Sequence, residues 1–346
     1  MSDSFPELIV SGSAFERGVQ HGTAFKNKIA STIDFYAAIF KLPVAEIFDR
    51  ARHFQRLIAD YRSDFIEEMD GIAKGADVNP FWIVALNSRS EILSFDASCD
   101  ANECTALYFR KTAVLGQNWD WEMAMESNTV LMRVDLSNGT QIQMLTEPGI
   151  IGKIGLNSHG LGVCLNILRI DKPLDGIPIH IVLRSILESP TIDSALDEVR
   201  SCGVGKASNA LIGDASGNCV NVEFAGNERF EIRSFGDFMI HTNHVLSRHI
   251  NPNDETFHCS YSRLHAAEKR ASSLVDFSID EMKDILVDGT GEYPICRPYK
   301  KHKDVQKMGT IASIVMDLKQ RRFHIRRGPG SGQNYETPQK TAIGAS

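Results

Sequence analysis

No run in the chain approaches the roughly 18 consecutive apolar residues of a membrane span. No basic stretch followed by an apolar one stands near its start, so no secretory signal is expected. Positive charge is outweighed: 37 Lys and Arg stand against 44 Asp and Glu, a net −7 over 346 residues. That balance offers no general attraction to nucleic acid or to an anionic membrane. The seven cysteines form no C-x-x-C pair and are odd in number. A disulfide framework or structural zinc is therefore not expected, and reduced thiols in the cytoplasm are. Also missing are the G-x-S-x-G elbow of a nucleophilic serine and the G-x-G-x-x-G turn of a dinucleotide site.

What is present divides near Asp96. Before it the chain reads mostly as helix. Ser13 and Glu16 have capping-box spacing, and Phe25, Ile29, Ile33, Tyr36 and Phe40 recur at helical period. A long helix is expected over Val44 to Lys74, stopped at Gly75, and a short helix or strand over Phe81 to Glu91. From Cys104 onward the runs are short and β-branched. Strands are expected at 105–110, 113–119, 130–136, 142–146, 151–156 and 161–168, then at 210–212, 220–224 and 238–242. Helices interrupt them from Pro178 to Glu188, at 194–202, 261–274 and 279–286, before a closing hairpin at 311–318 and 322–327. Hairpin-linked strands between blocks of helices predict an α+β fold, an αββα sandwich of two antiparallel sheets.

Cys104 stands at the join of the two halves, and by itself reads as a buried small hydrophobe. His241 and His244 suggest a metal at first sight. At i and i+3 on a strand they point to opposite faces, so no metal is expected. The run from Arg297 to Lys303 is basic and reads as a solvated loop or as a dock for an anionic group such as a CoA phosphate.

Eight short segments, in order, carry a resemblance. They are Gly18-Val-Gln-His-Gly22, Gly71-Ile-Ala-Lys-Gly-Ala76, Asn87-Ser-Arg-Ser-Glu91, Cys104-Thr-Ala106, Gly116-Gln-Asn-Trp-Asp120, Glu147-Pro-Gly-Ile-Ile-Gly152, His241-Thr-Asn-His244 and Ile295-Cys-Arg-Pro-Tyr299. Across about residues 10–330 the chain resembles the acyl-CoA:isopenicillin N acyltransferases, the C45 peptidases of the N-terminal-nucleophile hydrolase superfamily. The resemblance implies a proenzyme that cleaves itself between Glu103 and Cys104. Residues 1–103 and 104–346 would then form a heterodimer of the protein's own fragments around one shared core. The freed α-amine of Cys104 would serve as base for its own thiol, two groups of similar pKa.

By the same resemblance Asp120 is the active-site aspartate, Asn243 an oxyanion-hole donor and Arg297 the catalytic-site arginine. Thr105, Trp119 and Trp121 would meet substrate, the two indoles by lining an acyl pocket. Three departures stand out. Glu103 occupies a position the family fills with Gly, which strains the turn for self-cleavage and sets a carboxylate beside the thiol. Ala225 replaces a serine after Glu223-Phe224, which weakens CoA-dependent transfer relative to hydrolysis. The end, Ala342 to Ser346, lacks a peroxisomal tripeptide, in keeping with a cytoplasmic protein. The activity implied is acyl transfer from acyl-CoA, a co-substrate with no further cofactor, to a penicillin-type amine. Two alternatives stay open: hydrolysis of N-acyl amino acids or small peptides, and an unprocessed homologue that only binds.

Overall fold

The computed structural model describes residues 4–93, 104–170, 174–200, 202–247, 258–301, 307–330 and 334–344. Glu103, Cys99 and residues 302–306 of the basic loop lie outside them. Strand β1 (Glu7–Ser11) is followed by helices α1 (Ala14–Ala24), α2 (Lys26–Phe40), α3 (Val44–Tyr61), α4 (Ser63–Ala76), α5 (Pro80–Asn87) and α6 (Arg89–Ile92). Then come β2 (Thr105–Phe109), β3 (Val114–Glu122), α7 (Met123–Glu126), β4 (Val130–Asp135), β5 (Gln141–Thr146), β6 (Ile154–Asn157) and β7 (Leu161–Ile167). Next are α8 (Ile179–Glu188), α9 (Ile192–Arg200), β8 (Val204–Asp214), β9 (Cys219–Gly226), β10 (Glu228–Ile232) and β11 (Phe238–His241). The last are α10 (His258–Ala271), α11 (Ile279–Leu286), β12 (Lys300–Lys301), β13 (Lys307–Asp317) and β14 (Arg322–Arg327).

One sheet has the order β1-β4-β5-β6-β7-β8-β9-β10 and the other β11-β2-β3-β13-β12, with β14 beside β13. Strands β2 and β3 pack on β7, and β2 also on β8, so the sheets lie face to face. Helix α8 covers β6, β7 and β8 on one outside, while α10 and α11 cover β11, β3 and β13 on the other. The layers are α, β, β, α, as the alternation of runs predicts. Among the described strands pairing is antiparallel except at one edge, where β1 lies parallel to β4, Glu7 opposite Leu131; an isolated bridge, Ile177 to Val204, is also parallel. That strand is five residues set before a run of helices, too short to break the helical reading of the first hundred residues. Among the described residues no helix is long and apolar enough to cross a membrane.

The long helix expected over 44–74 is two helices. Arg62 between them is extended (φ −152°, ψ 93°), and its guanidinium reaches Asp64 and Glu188. Gly75 does not stop α4, which runs to Ala76 and ends on Asp77 in a left-handed conformation (φ 59°). The glycines serve a crossing instead. A Cβ on Gly18 would sit 2.0 Å from the Glu68 carbonyl oxygen, and one on Gly71 2.2 Å from that of Phe15. Helices α1 and α4 therefore touch backbone to backbone.

The helical half grips the turn between β5 and β6. His21 Nε2 accepts from Gly149 N at 3.0 Å, so this nitrogen carries no proton; burial lowers the His21 pKa to about 4. Asn87 donates to Gly149 O at 2.8 Å and accepts from Ile151 N at 2.9 Å. Tyr36 OH donates to Glu147 Oε1. One hydrophobic cluster runs from Phe5 through the helices and both sheets to Ile343.

Candidate active site

Cys104 precedes β2, which lies between β11 and β3; Thr105 stands opposite Asn118 and Ala106 opposite His241. The Cys104 amide N–H donates to Asn243 Oδ1 at 2.7 Å. Its carbonyl accepts from Asn166 Nδ2 at 3.1 Å and from Arg263 Nη1 at 2.8 Å. Arg263 also donates to Thr105 Oγ1 (2.9 Å) and to Asn243 Oδ1 (3.0 Å). Groups on β7, α10 and the loop after β11 thus fix one residue's main chain. Behind them Asn209 donates to Asn166 Oδ1 at 3.3 Å and to Asn221 Oδ1 at 2.9 Å.

Asn243 is held in turn by its own N–H on Ser260 Oγ (2.7 Å) and its Nδ2 on Ile167 O (3.0 Å). Its carboxamide oxygen is therefore what faces the α-nitrogen of Cys104. Asp120 Oδ1 accepts from Thr310 Oγ1 at 2.7 Å on the neighbouring strand. Thr310 Oγ1 accepts from Arg297 N at 2.8 Å, so Arg297 joins the site through its backbone. Its side chain is half-buried and is not among those lining the cavity at Cys104. His241 Nε2 lies 2.8 Å from Glu223 Oε1, and His244 Nδ1 lies 2.8 Å from Ser260 Oγ.

The thiol of Cys104 borders a cavity of about 30 Å³ lined also by Gln117, Trp119, Asp120, Trp121, Arg89 and Lys153. Burial, and then the Asp120 carboxylate, push the thiol up to about 11. The Asp120 main-chain N–H, Arg263 and Gln117 pull the other way. At neutral pH the thiol is protonated and needs a base to become a nucleophile.

The structure brings Cys104, Thr105, Asp120, Asn243, Trp119 and Trp121 together and adds groups that sequence reasoning passes over. Arg263 is fully buried on the inward face of α10, in line with Cys259, Ala267 and Ala271. A lone arginine in a stripe of small residues was the available signal. Arg89 and Lys153 lie inside two of the resemblance segments or at their edge, but only the fold shows them meeting.

The sequence pattern of the acyl-coenzyme A:6-aminopenicillanic acid acyl-transferase family matches residues 109–330. The chain is 32% identical over 336 residues to the 40 kDa form of acyl-coenzyme A:6-aminopenicillanic-acid-acyltransferase of Emericella nidulans, covering 92% of this chain and 91% of that one. Two solved structures show a fainter likeness. One is the conjugated bile acid hydrolase of Clostridium perfringens, at 11% identity over 68% of this chain and 92% of that one, TM-score 0.47. The other is the penicillin V acylase of Agrobacterium tumefaciens, at 12% over 69% and 86%, TM-score 0.40. The pattern over most of the β-rich half and the near full-length relative make this chain an acyltransferase enzyme that belongs to the acyl-coenzyme A:6-aminopenicillanic acid acyl-transferase family.

Proposed function

We propose that Cys104, freed by cleavage after Glu103, carries an acyl group from acyl-CoA to the amine of a 6-aminopenicillanic-type acceptor, and that water replaces the amine when none is bound. One observation carries this reading: a single thiol borders the cavity while its α-nitrogen, carbonyl and neighbour Thr105 are fixed by Asn243, Asn166 and Arg263. In maturation the thiol adds to the Glu103 carbonyl and the peptide C–N bond breaks, leaving a thioester and an α-amine. Water then cleaves the thioester to the Glu103 carboxylate and the free thiol.

In turnover the α-amine, with an unperturbed pKa near 8, takes the thiol proton. The thiolate adds to the thioester carbonyl, and CoA leaves as its thiol with that proton. The acceptor amine then adds to the acyl-enzyme, loses a proton to the α-amine and displaces Cys104. Asn243 Oδ1 orients the α-nitrogen, and Asp120 stabilises its ammonium form. With Asn243 Nδ2 held by Ile167, the amide acts on the base in this arrangement, and a role toward the oxyanion requires Nδ2 to be shared. Ala225 is buried among Leu168, Ala207 and Val245 and offers no hydroxyl, which is the observation favouring hydrolysis as a companion activity.

The test is Cys104→Ala beside Cys164→Ala. Cys164 is a second buried thiol, close enough for Cys104 to influence it. Wild type should yield two fragments, the larger beginning Cys-Thr-Ala-Leu, and consume acyl-CoA faster with 6-aminopenicillanic acid present. Cys104→Ala should fold, stay full length and turn nothing over, whereas Cys164→Ala should process and react. Substantial activity in Cys104→Ala would sink the reading.

A further inference from the structure

Arg89 and Lys153 reach the Cys104 cavity from opposite halves of the chain, and one carboxylate serves both. Glu147 Oε2 accepts from Arg89 Nε at 3.1 Å and from Lys153 Nζ at 2.8 Å; its other oxygen takes the Tyr36 hydroxyl. Burial would raise the Glu147 pKa, but Arg89 and then Lys153 outweigh it and hold the group ionised. His180, also near both cations, is kept neutral by burial and by them.

Arg89 and Lys153 thus share one carboxylate in contact, with the Asp120 carboxylate lining the same cavity, and all four side chains are almost out of water. Burying a charge without a partner is costly. The structure softens that cost with ring faces: Lys153 Nζ sits 4.0 Å from the centre of the Trp119 ring and the Arg89 guanidinium carbon 4.9 Å from that of Trp121. Among the described residues Glu147 is the sole hydrogen-bond acceptor of the Lys153 ammonium, which has three donors. Both cations line the cavity, whose volume of about 30 Å³ suits a group of a few atoms.

We propose that Arg89 and Lys153 form an anion subsite that takes a carboxylate of the substrate beside the Cys104 thiol. The inference rests on the reading of Cys104 as the reacting group only for what the carboxylate is placed next to. A carboxylate in the cavity fills donors of the Lys153 ammonium that Glu147 does not take. It also keeps Lys153 protonated: burial, and after it Arg89, push this amine down to about 7, so an arriving anion draws a proton onto it. The groups facing Lys153 that bear on this are Glu147, Arg89, His180 and Cys104, with Asp120 lining the same cavity.

Two sources carry such a carboxylate, the ring acid of the acceptor and an acid at the end of the acyl chain. Calorimetric titration of the purified wild-type protein, without acyl-CoA, separates them. One arm pairs 6-aminopenicillanic acid with its methyl ester; the other pairs adipic acid monoamide with hexanamide. At least one acid should bind about tenfold or more tighter than its neutral partner, the scale of one hydrogen bond to a charged group. Its binding at pH 8 should take up protons from buffer. Lys153→Met and Arg89→Met should each bring the ratio toward one, while Lys153→Arg keeps a preference for the acid. Ratios near one in both arms of the wild type overturn the subsite, whatever the variants do. So does a preference untouched by either Met substitution. The binding does not depend on whether Cys104 attacks anything, so a failed subsite and a failed nucleophile give different results.

Discussion

At the crossing of α1 and α4, Glu68 takes both prongs of Arg184 (2.9 and 2.8 Å) and Nη2 of Arg17 at 2.8 Å. Arg184 goes on to Glu188, Glu188 to Arg62 and Arg62 to Asp64. Three guanidinium groups there meet three carboxylates. At the Cys104 cavity Glu147 pairs with both Arg89 and Lys153. Both clusters tie the helices before residue 94 to the chain after Cys104, the first through α8 and the second through the turn between β5 and β6, and both are buried at Glu68 and Glu147. The first is closed in charge, and its members point at one another. In the second, Arg89 and Lys153 share Glu147 and also line a cavity, where the Asp120 carboxylate stands with them. Burial of ions is no evidence of function by itself, since a compensated network is a way to hold two elements in register. Ions that face a cavity beside a nucleophile, and not only one another, are the feature that separates a site from a fastener.

The comparison breaks most readily at Glu68. Glu68→Gln leaves Arg17 and Arg184 buried without their shared carboxylate, and removing one partner of a buried pair costs about 3–5 kcal/mol. The midpoint of urea unfolding should fall accordingly, while the protein that remains folded keeps its acyl-CoA turnover. A loss of less than about 1 kcal/mol, the range of a surface pair, would mean that the two clusters are not different in kind. Gly18→Ala tests the same fastener through the backbone. The new methyl would lie 2.0 Å from the Glu68 carbonyl oxygen, so α1 and α4 must part. Overpacking of this sort costs about 1–3 kcal/mol, to be read from thermal unfolding. An unchanged melting temperature would show that the crossing yields without strain.

The layers were legible because short β-branched runs alternate with runs of helical period after Cys104. The edge strand β1 was not, since its fit depends on β4, more than a hundred residues away. Nor was the break at Arg62, where the local pattern continues as helix and one partner of the guanidinium, Glu188, is supplied by α8. The site divides the same way. Cys104, Asp120 and Asn243 stand in short motifs and could be named from them. Arg263 and Asn166 hold Cys104 from 159 and 62 residues away, through main-chain contacts that leave no local pattern. The glycines of Gly18 to Gly22 and Gly71 to Ala76 were visible as motifs, yet their reason, a backbone crossing, needed both helices at once.

The smallest effect belongs to Lys153, and its sign is what matters. Met keeps an unbranched stem over Trp119 but removes the ammonium. Glu147 retains Arg89 and Tyr36, so no carboxylate is orphaned. Lys153→Met should therefore change stability near neutral pH by no more than about 1 kcal/mol, and replacing a poorly balanced buried ion can even stabilise. The pH dependence then identifies the group. In the unfolded chain a lysine titrates near pKa 10.4. In the folded protein Lys153 is held down to about 7, chiefly by burial and then by Arg89. Between those values the unfolded state binds the extra proton, so this lysine makes stability rise with pH. That contribution is fully present above the unfolded value and is lost as pH falls toward 7. Unfolding free energies of wild type and Lys153→Met, measured in urea from pH 6.5 to 9.5, should diverge in favour of wild type as pH rises. Parallel curves would mean that Lys153 keeps an ordinary ammonium, already balanced in the ligand-free protein. The Cys104 cavity would then be as closed in charge as the crossing at Glu68.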